Sequence, residues 1–202
     1  MKCYVIGLKR LSEELNATCS LLEGHGFEPV KYWGFDGHIT GLEQTKHLYD
    51  KDEGVARSIG ALSIGNVLSQ VSLWKALQTM EPDAEHYLVM EDDVRFNVDN
   101  PIEKIEQAFS VLPDDWDLFY VGCSGGYWCI QEKYDFDVCK IATAFTTHCF
   151  FIRRKALDFL IEKCEKVWAP IDLQIIFECA EHLNLYAFVP RIADQLDTEL
   201  GK

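Results

Sequence analysis

Short apolar runs alternate with helical segments along almost the whole chain, and this alternation restricts the fold more than any other feature. Between two such runs, Leu11, Leu15 and Leu22 fall on one face of a predicted helix. Strands separated by helices predict an α/β fold with a mostly parallel central sheet flanked by helices. The predicted strands are 3–8, 29–35, 86–90, 117–122, 148–154 and 185–190.

The helices between these strands are predicted by the same periodicity. The strongest is "SIGNVLSQVSLWKALQTM" (63–80), whose apolar residues recur every three or four positions. Another begins at Asn100-Pro101, as an N-cap followed by a proline in the first turn. Residues 38–60 are polar and predict a long loop, a feature that is often functional. No repeat or linker interrupts the 202 residues, so we expect a single domain over 1–202.

Three consecutive carboxylates, Glu91, Asp92 and Asp93, directly follow the apolar strand 86–90. Ligands in such folds bind beyond the carboxyl ends of the strands. In extended geometry Glu91 and Asp93 point to one side of the sheet and Asp92 to the other. Two close carboxylates repel each other unless a cation joins them or one is protonated, and oxygen ligands favour Mn²⁺ or Mg²⁺. A solvated acidic turn is the alternative interpretation.

The charge balance narrows the possible partners. Asp and Glu number 33 against 19 Lys and Arg, which gives a formal net charge of −14. A cationic surface, which nucleic acids and anionic membranes require, is therefore not expected, and we predict no nucleic acid partner. An anionic substrate would need a local cation to offset the repulsion. A phosphoryl- or nucleotidyl-transferring enzyme is a weaker hypothesis, because the sequence has no phosphate-binding glycine loop.

The eight cysteines and the N-terminal sequence indicate in which cellular compartment the protein is expected. No C-x-x-C pair occurs, so the cysteines are interpreted as reduced core residues rather than as zinc or thioredoxin-type sites. Neither a signal peptide nor an apolar run long enough for a membrane span is visible. We therefore expect a cytoplasmic protein.

Several motifs, in order along the chain, resemble glycosyltransferase family 25, the lipopolysaccharide and collagen galactosyltransferase group. "MEDDV" is similar to its LEDD-type motif, and Gly65, Ser69 and Trp74 match its Gly-Cys-x-x-Ser-His-x-x-x-Trp helix. Further matches extend over nearly the whole chain: "YVIGLKR" (4–10), "GFDG" (34–37), "DWDLFYVG" (115–122), "FFIRRKALDFLI" (150–161), "APID" (169–172) and "VPRIADQ" (189–195).

The resemblance implies a single GT-A-like, Rossmann-type domain that transfers a sugar with inversion at the anomeric carbon. It implies a nucleotide-sugar donor, such as a UDP-hexose, a Mn²⁺ or Mg²⁺ cofactor, and a glycan or lipid-linked acceptor. Peripheral membrane association would then arise only through the acceptor. Gly7 and Gln70 stand where the family usually has Asn and His. A catalytically degenerate nucleotide-sugar-binding module of the same fold is therefore the alternative.

The resemblance also implies roles for individual acids. Asp93, the last carboxylate of the motif, is the expected metal ligand, and Glu91 would assist it or contact the donor. Asp92 would contact the donor or neighbouring backbone N–H groups. Asp172 is the expected catalytic base, which takes the proton of the acceptor hydroxyl. Its alternative role is that of an N-cap for the helix beginning at Leu173.

Five further residues are predicted to contact the donor, each with a structural alternative. Ser69 and Gln70 carry hydrogen-bonding groups on a helix that is otherwise apolar on its packed face. Lys9 and Arg10 follow the first strand and could meet the diphosphate, or could be ordinary surface charges. His148 could reach the donor sugar, or could be a satisfied core histidine.

Two weaker hypotheses concern the acceptor side. Asp117 and Asp115 are alternative candidates for the base, because they lie at another junction of loop and strand. Tyr127 and Trp128 lie in a glycine-flanked loop and could form an acceptor lid, since aromatic rings stack on sugar faces.

Overall fold

A computed structural model of the protein describes residues 1–38, 60–125 and 129–196. The strands within these ranges form one eight-stranded sheet and one two-stranded sheet. The predicted loop of residues 38–60 falls almost entirely outside the described residues. The predicted aromatic lid, Tyr127 and Trp128, also lies outside them.

The large sheet has the strand order β2-β1-β3-β8-β5-β9-β7-β6. Only β7 and β8 pair antiparallel with both neighbours, so six of the eight strands run in one direction. The prediction of a mostly parallel sheet is confirmed. The strands of the large sheet are β1 (Lys2–Gly7), β2 (Glu28–Trp33), β3 (His86–Glu91), β5 (Leu118–Ser124), β6 (Ile130–Lys133), β7 (Val138–Ile141), β8 (Phe145–Arg153) and β9 (Leu185–Phe188), and those of the small sheet are β4 (Val94–Phe96) and β10 (Ala193–Gln195).

Helices cover both faces of the large sheet. Side chains alternate between the two faces of each strand, so apolar strands make both faces apolar, and both must be packed. In β1, Cys3 and Val5 belong to the core with α1 and α3, whereas Tyr4 and Ile6 belong to the core with α2, α4 and α5. The fold therefore has three layers and two apolar cores. The helices are α1 (Ser12–Gly24), α2 (Ala61–Met80), α3 (Pro101–Phe109), α4 (Leu157–Cys164) and α5 (Ile171–Gln174), and α5 continues as a π-helical turn (Ile175–Cys179).

The strongly periodic helix α2 illustrates how sequence sets the packing. Val67, Trp74 and Leu77 are fully buried along one face. Truncating a buried aromatic residue such as Trp74 to alanine typically costs about 3–5 kcal/mol. The predicted helix is confirmed with slightly wider bounds, and its polar residues Asn66, Ser69 and Gln70 remain available for other contacts.

Some local predictions are wrong. Strands β4, β6, β7 and β10 were not predicted, because each is short and includes charged residues, unlike the fully apolar β9. The Asn100 side chain makes no capping hydrogen bond, although Pro101 does open α3. Asp172 is not the N-cap of its helix, since Pro170 occupies that position and Asp172 lies in the first turn. Within the described ranges, no helix is long and apolar enough to cross a bilayer.

The strand directions bring distant segments to one edge of the large sheet. Strands β1, β2 and β3 are parallel, so their carboxyl ends lie together. Strand β8 runs the opposite way beside β3, so its amino-terminal residues Thr146 and Thr147 reach the same edge. This edge, which we call the carboxyl edge, carries the acidic triplet.

Candidate active site

Two acids of the triplet, Glu91 and Asp93, contact the same residue, Gln195, near the end of the described chain. Glu91 ends β3, and Asp93 lies in the turn before β4. Strand β10 pairs with β4 so that Gln195 lies opposite Val94. The Gln195 amide Nε2 donates to Glu91 Oε2 and to Asp93 Oδ2, both at 3.2 Å. Glu91 and Asp93 therefore face a common space.

Glu91 is held by two further donors. Asn66 Nδ2, from α2, lies 3.0 Å from Glu91 Oε1, and the Thr147 hydroxyl lies 3.1 Å from the same oxygen. Burial and the nearby charge of Asp93 raise the pKa of Glu91 to about 7. These contacts fix the carboxyl group in place without supplying a positive charge.

Asp92 points to a different neighbour, namely the end of β1. A Cβ added to Gly7 would lie 3.0 Å from Asp92 Oδ2 and 2.9 Å from Leu15 Cδ2. Glycine at this position therefore makes room for Asp92, and the asparagine expected from the family pattern would require both neighbours to move. Burial and the charge of Asp93 raise the pKa of Asp92 to about 6.

The two carboxylates that share Gln195 suit a divalent cation. No ion pair of the described residues includes Glu91 or Asp93, and Asp93 Oδ1 is buried with no hydrogen-bond partner in the described ranges. The nearby Arg95 guanidinium instead donates a hydrogen bond of 2.8 Å to the Thr18 hydroxyl. No cluster of three His, Cys, Asp or Glu ligands occurs among the described residues. A cation here would thus have two protein carboxylates, and its other positions would be open to a ligand.

Two adjoining cavities meet at Glu91 and Gln195. The first, of about 420 Å³, extends from the acidic triplet along the ends of β1 and β2, and the second, of about 260 Å³, extends towards α5. We call them the inner cavity and the outer cavity. Both cavities are lined by Leu62, Asn66, Glu91 and Gln195.

Asp172 lies in the wall of the outer cavity, across from the shared carboxylates. Its Oδ2 accepts a hydrogen bond from the Thr146 backbone N–H at 3.1 Å, and its Oδ1 accepts one from Leu173 N–H at 2.9 Å. Both donors are backbone N–H groups, so each carboxyl oxygen of Asp172 has a neutral hydrogen-bond partner. The predicted base is therefore a carboxylate at a cavity wall, although it does not act as the N-cap.

Thr146 presents its N–H to Asp172 from a rare backbone conformation. Its φ is 65°, which a β-branched residue seldom adopts and which costs about 1–3 kcal/mol. The Thr146 hydroxyl lies 3.0 Å from His148 Nδ1, and His148 Nε2 lies 3.2 Å from the Ala193 carbonyl. Because a carbonyl only accepts, Nε2 carries the proton and Nδ1 accepts from Thr146.

His148 itself is buried and lines neither cavity. A Cβ at Gly122 would lie 2.2 Å from His148 Nε2, so glycine is needed at that position for the ring to fit. Burial lowers the pKa of His148. These features agree with the alternative of a satisfied core histidine, and the donor-contact role predicted for His148 has no support from its position.

Ser69 lines the inner cavity but uses its hydroxyl within the protein. Its Oγ accepts from Phe35 N–H at 2.8 Å and donates to the Gly65 carbonyl at 2.5 Å. Cβ atoms at Gly34 or Gly65 would lie 2.6 Å from Ser69 Oγ or Phe35 O respectively. Ser69 therefore fastens the segment after β2 to α2. Gln70, one residue later, also lines the inner cavity.

Four other predicted residues line neither cavity, although two of them, Lys9 and Arg10, lie between Leu8 and Leu11 of the inner cavity wall. Lys9 and Arg10 are exposed on a 3-10 turn after β1, and Arg10 Nε pairs with Asp36 Oδ2 at 2.6 Å. Asp117, an alternative base, precedes β5 and so lies at the opposite edge of the sheet. There it contacts Lys155 Nζ at 3.0 Å and Asn184 N at 2.8 Å. Asp115 belongs to the same turn, so neither acid is near the outer cavity.

Asn66, Thr147 and Gln195 were not singled out from the sequence as site residues. Their contacts with Glu91 depend on chain segments that meet only in the folded protein. Gln195 had one signal, its place in the late segment "VPRIADQ" that resembles the glycosyltransferase pattern. Asn66 and Thr147 had none, since Asn and Thr at such positions are common on any helix or strand end.

No protein-family model matches the chain, and no curated protein matches it significantly. Solved structures do match. One is a glycosyltransferase involved in glycosylation of the major capsid of PBCV-1, with 12% identity, a TM-score of 0.53, and coverage of 92% of this chain and 79% of that chain.

Two structures of Drosophila β1,4-galactosyltransferase 7 are also similar. A mutant in complex with manganese, UDP-Gal and xylobiose has 10% identity, a TM-score of 0.51, and coverage of 98% of this chain and 71% of that chain. The catalytic domain in complex with xylobiose has 11% identity, a TM-score of 0.50, and coverage of 100% and 72%. At these identities the likeness shows the fold, which is that of GT-A glycosyltransferases. Membership of family 25 stays a prediction.

Proposed function

We propose that this protein is a metal-dependent, inverting glycosyltransferase that moves a hexose from a UDP-sugar to a glycan or lipid-linked acceptor. The observation that carries the proposal is the junction of two cavities at Glu91 and Gln195, with Asp93 beside it in the inner cavity and Asp172 in the wall of the outer cavity. A transferase needs two such adjoining sites, one for each substrate.

The inner cavity suits the donor. Its walls at the ends of β1 and β2 are partly apolar, and its acidic end has the paired carboxylates. A Mn²⁺ or Mg²⁺ ion held there by Asp93 and Glu91 would neutralise the donor diphosphate and the charge that develops on the departing nucleotide. Gln195 and Asn66 hold the two carboxyl groups in position for this binding. The net charge of −14 disfavours an anionic donor, and a divalent cation at the site would offset that repulsion.

The outer cavity suits the acceptor. Inversion requires the acceptor hydroxyl to attack the anomeric carbon from the side opposite the leaving nucleotide. Asp172 takes the proton of that hydroxyl as the new glycosidic bond forms and the bond to the diphosphate breaks. The Thr146 N–H keeps Asp172 Oδ2 oriented, and Leu62 and Pro170 provide apolar walls for a sugar or lipid-linked group.

The proposal includes the finer expectations of the sequence. A lipopolysaccharide-type or other glycan acceptor, and membrane association only through that acceptor, follow from the resemblance to family 25. The cytoplasmic location follows from the cysteine pattern and from the lack of a visible signal peptide. No nucleic acid partner is proposed, because the chain is strongly acidic.

The decisive experiment compares Asp93→Asn with the wild-type protein, using a panel of UDP-sugars with Mn²⁺. We expect turnover to fall at least about a hundredfold, because the cation loses its main ligand. The thermal stability of the metal-free variant should be unchanged or higher, since one of two repelling charges is removed. Asp99→Asn, at an exposed position outside both cavities, is the matched control. Unchanged turnover in Asp93→Asn would show that the metal assignment is wrong.

The alternative of a donor-binding module makes a different prediction in the same experiment. Wild-type protein would bind UDP with Mn²⁺ in calorimetry, but no UDP-sugar of the panel would be turned over with or without acceptors. Asp93→Asn would then abolish the binding without any change in turnover.

A further inference from the structure

Gln70 is the most unusual polar residue of the inner cavity. Its side chain is completely buried, and neither Nε2 nor Oε1 has a hydrogen-bond partner in the part of the chain that the structure describes. Buried polar groups are almost always paired, and leaving them unpaired is costly. Gln70 nevertheless forms part of the cavity wall. Its free donor and acceptor therefore point to a ligand that supplies the missing partners.

The position of Gln70 shows which part of the ligand it meets. Asn66 and Gln70 are one helical turn apart on α2, and Asn66 contacts Glu91 at the carboxyl edge. Because α2 begins at that edge, Gln70 lies one turn deeper. Unlike Asn66 and Glu91, Gln70 lines the inner cavity only. If the diphosphate lies at the carboxylates and the sugar faces the outer cavity, the inner cavity receives the nucleoside.

We infer that Gln70 recognises the donor base by pairing its carboxamide with the imide edge of uracil. This inference rests on the proposed function, in which the donor is a UDP-sugar. The carboxamide offers one N–H donor beside one carbonyl acceptor in a plane. Uracil N3–H is flanked by a carbonyl on each side, so either orientation of the amide makes both bonds. The flat faces of the uracil ring can pack on the apolar side chains of the inner cavity, whose other walls include Ile6, Leu11 and Phe35.

The first test is Gln70→Met, which keeps the length of the side chain and removes both polar atoms. Calorimetry should show UDP binding with Mn²⁺ weakened at least about tenfold, since two hydrogen bonds are lost. The melting temperature of the free protein should rise by about 2 °C or more, because a buried unpaired amide is removed. Pyrophosphate, which has no base, should bind the variant and the wild-type protein equally with Mn²⁺.

Gln78→Met is the matched control. Gln78 lies two turns later on the same helix, away from both cavities, and its amide contacts Asp158. UDP and pyrophosphate binding should not change in this variant.

The second test uses the wild-type protein and does not depend on the folding of any variant. UDP methylated at uracil N3 should bind about as weakly to wild-type protein as UDP binds to Gln70→Met. Methylation should cause no further loss in the variant, because the paired edge is already lost there.

Three results would overturn the inference. Gln70→Met could bind UDP like wild type, it could weaken pyrophosphate and UDP equally, or N3-methylation could leave wild-type affinity unchanged. A fourth result, in which wild-type protein binds neither UDP nor pyrophosphate with Mn²⁺, would overturn the proposed function as well. The pyrophosphate arm therefore separates failure of the base contact from failure of the whole site.

Discussion

Acidic residues at the two edges of the large sheet differ in whether a positive group pairs with them. At the edge opposite the carboxyl edge, which we call the amino edge, both carboxylate oxygens of Asp117 have partners. These are the ammonium of Lys155 and the backbone N–H of Asn184. At the carboxyl edge, Glu91 and Asp93 share one neutral amide, and Asp93 Oδ1 has no partner within the described residues.

The difference separates an acid that stabilises the fold from acids that would bind a ligand in the proposed function. A paired carboxylate contributes its charge to contacts between strands and helices, as Asp117 does. A carboxylate that is buried beside another one without a cation costs free energy in the free protein. Such a cost is typical of sites where a bound ion or substrate restores the balance. The following predictions test this separation in order of decreasing effect.

Asp172→Asn should lower kcat about 10²- to 10³-fold, because the amide cannot take a proton from the acceptor. The Thr146 N–H can still donate to the amide oxygen, so stability should change little. Steady-state kinetics at saturating donor and acceptor measures the effect. Asp158→Asn, an exposed acid in the first turn of α4, is the control. A variant that lost stability but kept kcat would place Asp172 with Asp117 among the structural acids.

The metal-free protein should lose stability as pH rises from about 4.5 to about 7. The pKa of Glu91 is raised from 4.5 to about 7 in the folded state, so the folded state holds the proton more tightly than the unfolded state does. The free energy of unfolding then decreases with pH across this interval, by about 1–3 kcal/mol. Asp92, whose pKa is raised to about 6, acts in the same direction.

Chelator-treated protein unfolded in urea at several pH values measures this slope. Glu91→Gln should flatten it, because the amide does not titrate. The comparison with Glu91→Gln isolates this residue, because Asp36 and Glu81 have lowered pKa values and act in the opposite direction. An equal slope in the two proteins would mean that folding does not raise the pKa of Glu91.

Asp117→Ala should lower the free energy of unfolding by about 1–3 kcal/mol, since the Asn184 N–H and Lys155 lose their partner. Turnover per folded molecule should remain at the wild-type level, because Asp117 lies at the far edge of the sheet. Urea unfolding and active-site titration together measure both quantities. If Asp117→Ala lost turnover but kept its stability, the assignment of Asp117 as a purely structural acid would be wrong.

The sequence was sufficient to predict the main helices and strands and to place the acidic triplet at the carboxyl end of a strand. Apolar periodicity identified β3 and α2. Both features are local, because they depend on residues a few positions apart. The extended geometry predicted for the triplet is wrong beyond Glu91, because Asp92 and Asp93 lie in a turn, although Glu91 and Asp93 do contact one amide. The prediction of one domain over 1–202 stays a prediction.

The environment of the site was less predictable, because it depends on tertiary contacts. Thr146 has no sequence feature that indicates a φ of 65°, and Asn66 is an ordinary polar residue on a long helix. The donor role predicted for His148 depended on its chemistry alone, whereas its burial beside Ala193 is a property of the fold. Short strands such as β10 show no pattern, yet β10 supplies Gln195.

Gln195 joins Glu91 across a separation of 104 residues, and this separation has a consequence for biosynthesis. Chains emerge from the ribosome from the amino terminus, at about 5–20 residues per second. All three acids of the triplet are therefore translated several seconds before the glutamine that bridges Glu91 and Asp93. A nascent or truncated chain that ends before β10 has the acids but lacks this bridge, so the arrangement of Glu91 and Asp93 is completed only after β10 has been made.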